Sequence, residues 1–110
     1  MISGETLKIE KKILTALQKK LLFLPHAIKQ MSRPDRMISK DDIRKAIING
    51  EIIEDYPYDS RGHSCLVLGK DLNNRSIHIV CTPKKDYLAI ITAYIPWTEQ
   101  WTSDLKKRRK

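Results

Sequence analysis

Two strand-like runs near the C-terminal end, Ser76–Thr82 and Tyr87–Ile95, limit what this chain can become. Both are rich in Ile, Val, Thr and Tyr, side chains that suit a pleated surface, and Pro83-Lys84-Lys85-Asp86 separates them as a turn. Their apolar residues fall at consecutive as well as alternate positions, which predicts strands covered on both faces along part of their length. His78, Thr92 and Tyr94 interrupt the apolar pattern. A polar side chain on a covered strand needs a hydrogen-bond partner or a cleft, so these positions are the first place to seek function.

A chain of 110 residues is sized for one domain, 1–110, and buries only a modest core, about one sheet with a helical layer. A 41% hydrophobic and 31% charged composition argues for a globular chain rather than a disordered one. The longest apolar run, Leu21–Pro25, is too short to cross a bilayer, and the N-terminus lacks the apolar stretch of a secretory signal. No membrane association and a cytoplasmic location are therefore expected. The net charge of +8 points to an anionic partner, RNA first, with a Lys-rich surface serving solubility as the plainer alternative. Cys65 and Cys81 sit inside apolar runs, as small buried hydrophobes do in a reducing compartment. There is no Cys-x-x-Cys spacing, and His26, His63 and His78 are scattered, so neither a metal nor a cofactor is expected.

Taken in order, Glu5–Leu24 carries Leu7, Ile9, Ile13, Leu14, Leu17, Leu21 and Leu22 mostly at steps of three or four, the spacing of an amphipathic helix. Ser3 is placed to cap it, and Lys8, Lys11, Lys12, Lys19 and Lys20 lie on or near its polar side. Pro25 suits the first turn of a second helix reaching Met31, which Arg33-Pro34-Asp35 stops. Ser39 caps a third helix, Lys40–Asn49, with Asp41 and Asp42 at its positive end and Gly50 beyond its last turn. Glu51–Tyr56 reads as a strand, Pro57–Gly62 as a loop, His63–Gly69 as a second strand, and Asp71–Asn74 as a turn into the Ser76 run. The chain ends in Lys106-Lys107-Arg108-Arg109-Lys110, a run of cations expected to stay mobile alone and to bind RNA or an acidic partner in a salt-sensitive way. Three helices followed by four strands predict an α+β fold, with the helices packed on one face of a four-stranded, mostly antiparallel sheet.

Four segments in this order resemble a known family. They are Pro25-His26-Ala27 with Met31 and Arg36-Met37-Ile38-Ser39; Ile47 with Gly50-Glu51-Ile52-Ile53-Glu54-Asp55-Tyr56-Pro57; Ile77-His78-Ile79-Val80; and Thr92-Ala93-Tyr94-Ile95-Pro96 with Trp101. The chain from about Leu24 to Lys110 is similar to the domain of unknown function 4258, a group of small toxin-like proteins. The resemblance implies a compact fold like that of the RelE and BrnT ribonuclease toxins. It further implies RNA cleavage without metal, on free or ribosome-bound mRNA, and silencing by an antitoxin protein encoded alongside. The N-terminal helix lies outside the matched core, as an addition to the toxin-like domain.

Cleavage by the 2′-hydroxyl needs a base, an acid for the 5′-oxygen, and a cation or N–H groups at the phosphorane. His26 and His78 are the candidates for base and acid, because imidazole titrates near neutrality. Arg36 could hold the phosphate through its guanidinium fork, while Thr92 and Tyr94 orient the phosphate or the 2′-hydroxyl. Each has a structural alternative. His26 can pack at a helix start, His78 can be a hydrogen-bonded core residue, and Arg36 can tie the helical layer to Glu54 or Asp55. Thr92 suits a strand by its β-branch alone, and Tyr94 can be a core aromatic. Trp97 and Trp101 could stack bases, although a tail packed on the domain accounts for them better. Whether His78 and Thr92 share a sheet face turns on one residue of register in the last hairpin, which stays open at this point. The alternative to an enzyme is a non-catalytic RNA- or protein-binding module of the same fold.

Overall fold

In the computed structural model, which describes the backbone of residues 4–109 and the side chains of residues 8–109, the N-terminal amphipathic segment forms helix α1, Gly4–Lys19. Ile9, Ile13, Ala16 and Leu17 are its buried stripe. The expected cap at Ser3 and the side chains of Glu5, Thr6 and Leu7 lie outside the described residues, as does Lys110. The helix stops short of Leu24, where the apolar spacing had carried it. Leu21–Phe23 instead forms a short strand, β1. The residue before a proline is pushed out of the helical region, and Leu24 has φ −69° and ψ 155°. Four consecutive apolar residues would also circle a helix, whereas a strand sends Leu21 and Phe23 to the core and leaves Leu22 at 38% exposure.

Helix α2, Pro25–Met31, and helix α3, Lys40–Asn49, follow as their punctuation predicts. At the start of α3 the Ser39 hydroxyl accepts from the Asp42 N–H at 3.0 Å, and the Asp42 carboxylate accepts from the Ser39 N–H at 2.8 Å. Then come β2 (Glu51–Tyr56), β3 (Ser64–Lys70), β4 (Ser76–Pro83) and β5 (Leu88–Tyr94). Among the described residues the five strands form one sheet in the order β1-β5-β4-β3-β2. β1 runs parallel to β5, and the other neighbours are antiparallel. The protein is α+β with a five-stranded mixed sheet, one strand more than the sequence pattern suggests. None of its described helices is long and apolar enough to cross a membrane.

The helices share one face of the sheet. Ile9, Ala27, Met31, Ile43 and Ile47 pack with Val67, Ile77, Ile79 and Ile90 in a single apolar cluster. Helix α3 lies close over β3 because Gly69 has no side chain; a Cβ there would stand 2.0 Å from the Ala46 carbonyl oxygen. Buried Asp71 accepts from the N–H groups of Asn73 and Arg75 and from Arg75 Nε at 2.7 Å, while Arg75 Nη1 donates to the Arg36 carbonyl at 2.6 Å. These bonds tie the β3–β4 turn to the connection between α2 and α3.

Two irregularities shape the opposite face. The first is a bulge in the β4–β5 pair. Cys81 pairs with Ile90 but Val80 pairs with Thr92, so Ile91 is the extra residue. An unbroken register would have sent Thr92 and Tyr94 toward the helices. With the bulge, Tyr94 stands opposite His78, and both face away from the helical layer together with Thr92. The second is the C-terminal segment, residues 97–109, which folds back over that face. Thr102 N–H donates to the Lys107 carbonyl, Arg109 N–H to the Gln100 carbonyl, and Trp101 is 2% exposed. The expectation of a loose basic run is therefore corrected for residues 106–109. Lys106 Nζ lies 2.8 Å from Glu51, and Arg108 holds Glu54 through two nitrogens at 3.0 and 3.1 Å. Acids along the edge strand β2 offset the mutual repulsion of the cations.

Candidate functional site

His78 is the centre of the helix-free face. It is 0% exposed. Its Nε2 lies 2.8 Å from the Leu105 carbonyl oxygen and its Nδ1 lies 3.3 Å from the Tyr94 hydroxyl. A carbonyl only accepts, so Nε2 carries the proton, and a neutral ring leaves Nδ1 to accept from Tyr94. Burial holds the imidazole below its ordinary pKa, overriding the Leu105 bond and the Glu54 charge, which favour protonation. Trp101 stacks edge-on against the ring at a centroid distance of 4.4 Å, with Tyr94 at 5.4 Å on another side.

A charged pair flanks this aromatic nest. Arg108 lies over the Trp101 ring, 4.7 Å from its centroid, and grips Glu54. Tyr56 donates its hydroxyl to the same carboxylate. Burial raises the Glu54 pKa, but the bonds from Arg108 and Tyr56 outweigh it and leave the carboxyl below its usual range. Burial, then the Glu54 contact, push Tyr56 up to about 12. Burial also raises Tyr94. The result is a neutral imidazole beside an ionised carboxylate, an arginine and two phenols on one sheet face. Among the described residues no buried side-chain nitrogen or oxygen lacks a partner.

The expected site residues divide between the two faces. His78, Tyr94 and half-buried Thr92 share the helix-free face. Arg36 lies close enough to bear on Tyr94 electrostatically, yet its side chain donates to Gln30 at 2.5 Å. The structural alternative for Arg36, a tie to Glu54 or Asp55, is corrected, since Glu54 binds Arg108 and Asp55 meets His63. His26 is not brought in. It is exposed at the start of α2, which packs on the helical side through Ala27 and Met31. Trp101 is part of the nest while Trp97 stays 58% exposed. Glu54, Tyr56 and Arg108 belong to the cluster without having been singled out for it. Their only sequence signal is alternation, which puts Glu54 and Tyr56 on one side of a strand; the long return of the tail has none.

A second feature lies between α1 and the β4–β5 turn. Lys11, Lys12, Lys84 and Lys85 line a groove of about 440 Å³ there. Lys19 Nζ donates to the Lys85 carbonyl at 2.8 Å and Lys84 Nζ to the Arg61 carbonyl. Among the described residues none of the four groove lysines is ion-paired with a carboxylate. The groove is a concentration of positive charge, whereas in the tail Lys106 and Arg108 are paired with Glu51 and Glu54.

The fold and this face define a small α+β protein with a polar, tail-covered sheet surface. The family model described as "Domain of unknown function (DUF4258)" matches residues 23–95, and the chain belongs to that family. The matched span runs from the end of β1 through β5 and leaves out α1 and the covering tail. No curated protein and no solved structure matches the chain.

Proposed function

We propose that this protein is an endoribonuclease of the toxin type, RelE- or BrnT-like in fold, that cleaves RNA by 2′-hydroxyl attack on the helix-free face of its sheet. The observation that carries this reading is the meeting of neutral His78 with Tyr94, Glu54 and Arg108 on that face. A neutral Nδ1 can take the 2′-hydroxyl proton, Arg108 can meet the phosphate, and the Tyr94 hydroxyl can give its proton to the 5′-oxygen, with ionised Glu54 holding Arg108 in place. Trp101 and Leu105 close over His78, so RNA reaches it only when these two residues move aside while Arg108 keeps its hold on Glu54. The lysine groove would gather the RNA backbone, and the residues of the tail would add to it once freed. Thr92 and Arg36 then serve as positioning groups, and His26 has no part in the chemistry. The partners on this reading are RNA, ribosome-bound or free, and an acidic antitoxin.

A second reading, a non-catalytic RNA- or protein-binding module, is favoured by the engagement of both His78 nitrogens and the full burial of its ring. The test is incubation of the purified protein with RNA in the presence of chelator. The nuclease reading expects a 2′,3′-cyclic phosphate and a 5′-hydroxyl at each cut, faster cutting when Trp101→Ala loosens the tail, and at least ~100-fold slower cutting by His78→Ala and Tyr94→Phe. RNA that binds but stays intact with both the native protein and Trp101→Ala supports the module instead.

A further inference from the structure

We propose that Asp55, His63 and Cys65 form a binding site for a zinc-like divalent metal ion at the β2–β3 edge. The site is separate from the His78 face. Asp55 and Cys65 are directly opposed across the two strands, and His63 precedes Cys65 by two residues, on the same side. Cross-strand pairing therefore gathers three ligand types that are ten residues or fewer apart in the chain. One donor atom from each lies within 4.8 Å of the others.

The distances suit a tetrahedral ion. Bonds of about 2.0 Å to oxygen and 2.3 Å to sulfur put those two donors about 3.5 Å apart. Cys65 Sγ and Asp55 Oδ1 stand at 3.5 Å. His63 Nε2 and the same Oδ1 are 2.5 Å apart and must open to about 3.3 Å, a movement within reach of a ring at a strand's entrance. The Thr82 hydroxyl donates to the His63 carbonyl at 2.9 Å and holds its backbone while the ring stays free to turn.

Access and ligand chemistry agree with this. The Asp55 and His63 side chains are 31% and 33% exposed while Cys65 is fully buried, so the cluster has one open side for the ion and for a water in a fourth position. A nucleophilic role for Cys65 fits less well. Burial, and then the Asp55 charge, push its thiol well above the usual range, and the carboxylate rather than the imidazole is its hydrogen-bond partner. A metal ion reverses that situation by deprotonating a thiol it binds, and it accepts the carboxylate as a further ligand. One sulfur, one nitrogen and one oxygen donor select zinc, or cobalt as its spectroscopic substitute, over calcium or magnesium.

The test is titration of the metal-stripped full-length protein with Co²⁺, followed by Zn²⁺. Expected are one equivalent of Co²⁺ bound, a thiolate-to-cobalt charge-transfer band, intense tetrahedral visible bands, and loss of both on adding Zn²⁺. His63→Gln, on the partly exposed side of the site, should fold normally and bind Co²⁺ at least about tenfold more weakly. Asp55→Asn should do the same, Cys65→Ser should abolish the charge-transfer band, and Cys81→Ser should keep it. The proposal is overturned if the native protein gives no charge-transfer band, or if the band survives in folded His63→Gln and Asp55→Asn at native affinity. It is equally overturned if Cys81→Ser, rather than Cys65→Ser, removes the band. None of these readouts depends on RNA cleavage.

Discussion

The two faces of one sheet are covered in opposite ways. On the helical side, Ile43, Ile77, Ile79 and Ile90 have no exposure and pack within one apolar cluster. On the other side a tail of irregular backbone lays Trp101 and Arg108 against an imidazole, a carboxylate and two phenols, each of these polar groups with a hydrogen-bond partner. The helical cover stabilises by removing apolar area from water, at about 25 cal/mol per Å². Apart from burying the Trp101 ring, the tail cover mainly compensates the polar groups it desolvates, because a buried hydrogen bond nets only about 1 kcal/mol. The first face is thus where stability resides. The second costs less to open, and it holds the groups that could do chemistry.

The sharpest way to break this comparison is to cut a cavity in the helical face. Ile79→Ala should lower unfolding free energy by about 3 kcal/mol in denaturant titration. A loss below about 1 kcal/mol would mean that the two faces do not differ as argued. Gly69→Ala comes next, at about 2 kcal/mol, because the new methyl group meets the Ala46 carbonyl and forces α3 away. Arg108→Ala should cost only about 1 kcal/mol, since its side chain is 62% exposed, yet it should speed amide exchange and tryptic cleavage within residues 101–109 while leaving the helical face protected. Equal changes on both faces would show that the tail is an integral part of the core.

The smallest effect is one of pH. His78 is held below its ordinary value of about 6.5, so between its folded and unfolded pKa values the unfolded chain binds more protons. Its contribution to stability is complete above about pH 6.5 and is lost as pH falls through the lowered folded value. Glu54, also lowered, adds a second decline beginning near its ordinary value of about 4.5. Thermal melts from pH 7 to pH 5 should show the first decline, and His78→Gln should flatten it. An unchanged slope in that variant would assign the decline to another group.

Much of the helical face could be read from the residues. Ser39 with Asp42, the Ile43-Ala46-Ile47 stripe and Gly50 bound α3, and Pro25 opens α2, because caps and prolines act within a few bonds. The Glu51–Tyr56 strand is likewise bounded by Gly50 and Pro57. The polar face was legible only in part. His78, Thr92 and Tyr94 stand out as polar interruptions, but their common orientation depends on the bulge at Ile91. The partnership of Glu54 with Arg108 spans β3, β4 and β5 in the chain and leaves no local trace.

Short-range signals in the residues carry the local grammar: three helices, the α+β class, the two-sided cover of the last strands, and membership of a family through residues 23–95. Packing across the sheet makes Leu21–Phe23 an edge strand, pins the basic end to Glu51 and Glu54, keeps His26 apart from His78, and brings Asp55, His63 and Cys65 together. The physical reason is range. Helix caps, proline restrictions and apolar periods are set by neighbours three or four residues away. Edge pairing, bulges and ion pairs across the sheet are chosen by the packed whole, where one residue of register turns a side chain from one face to the other.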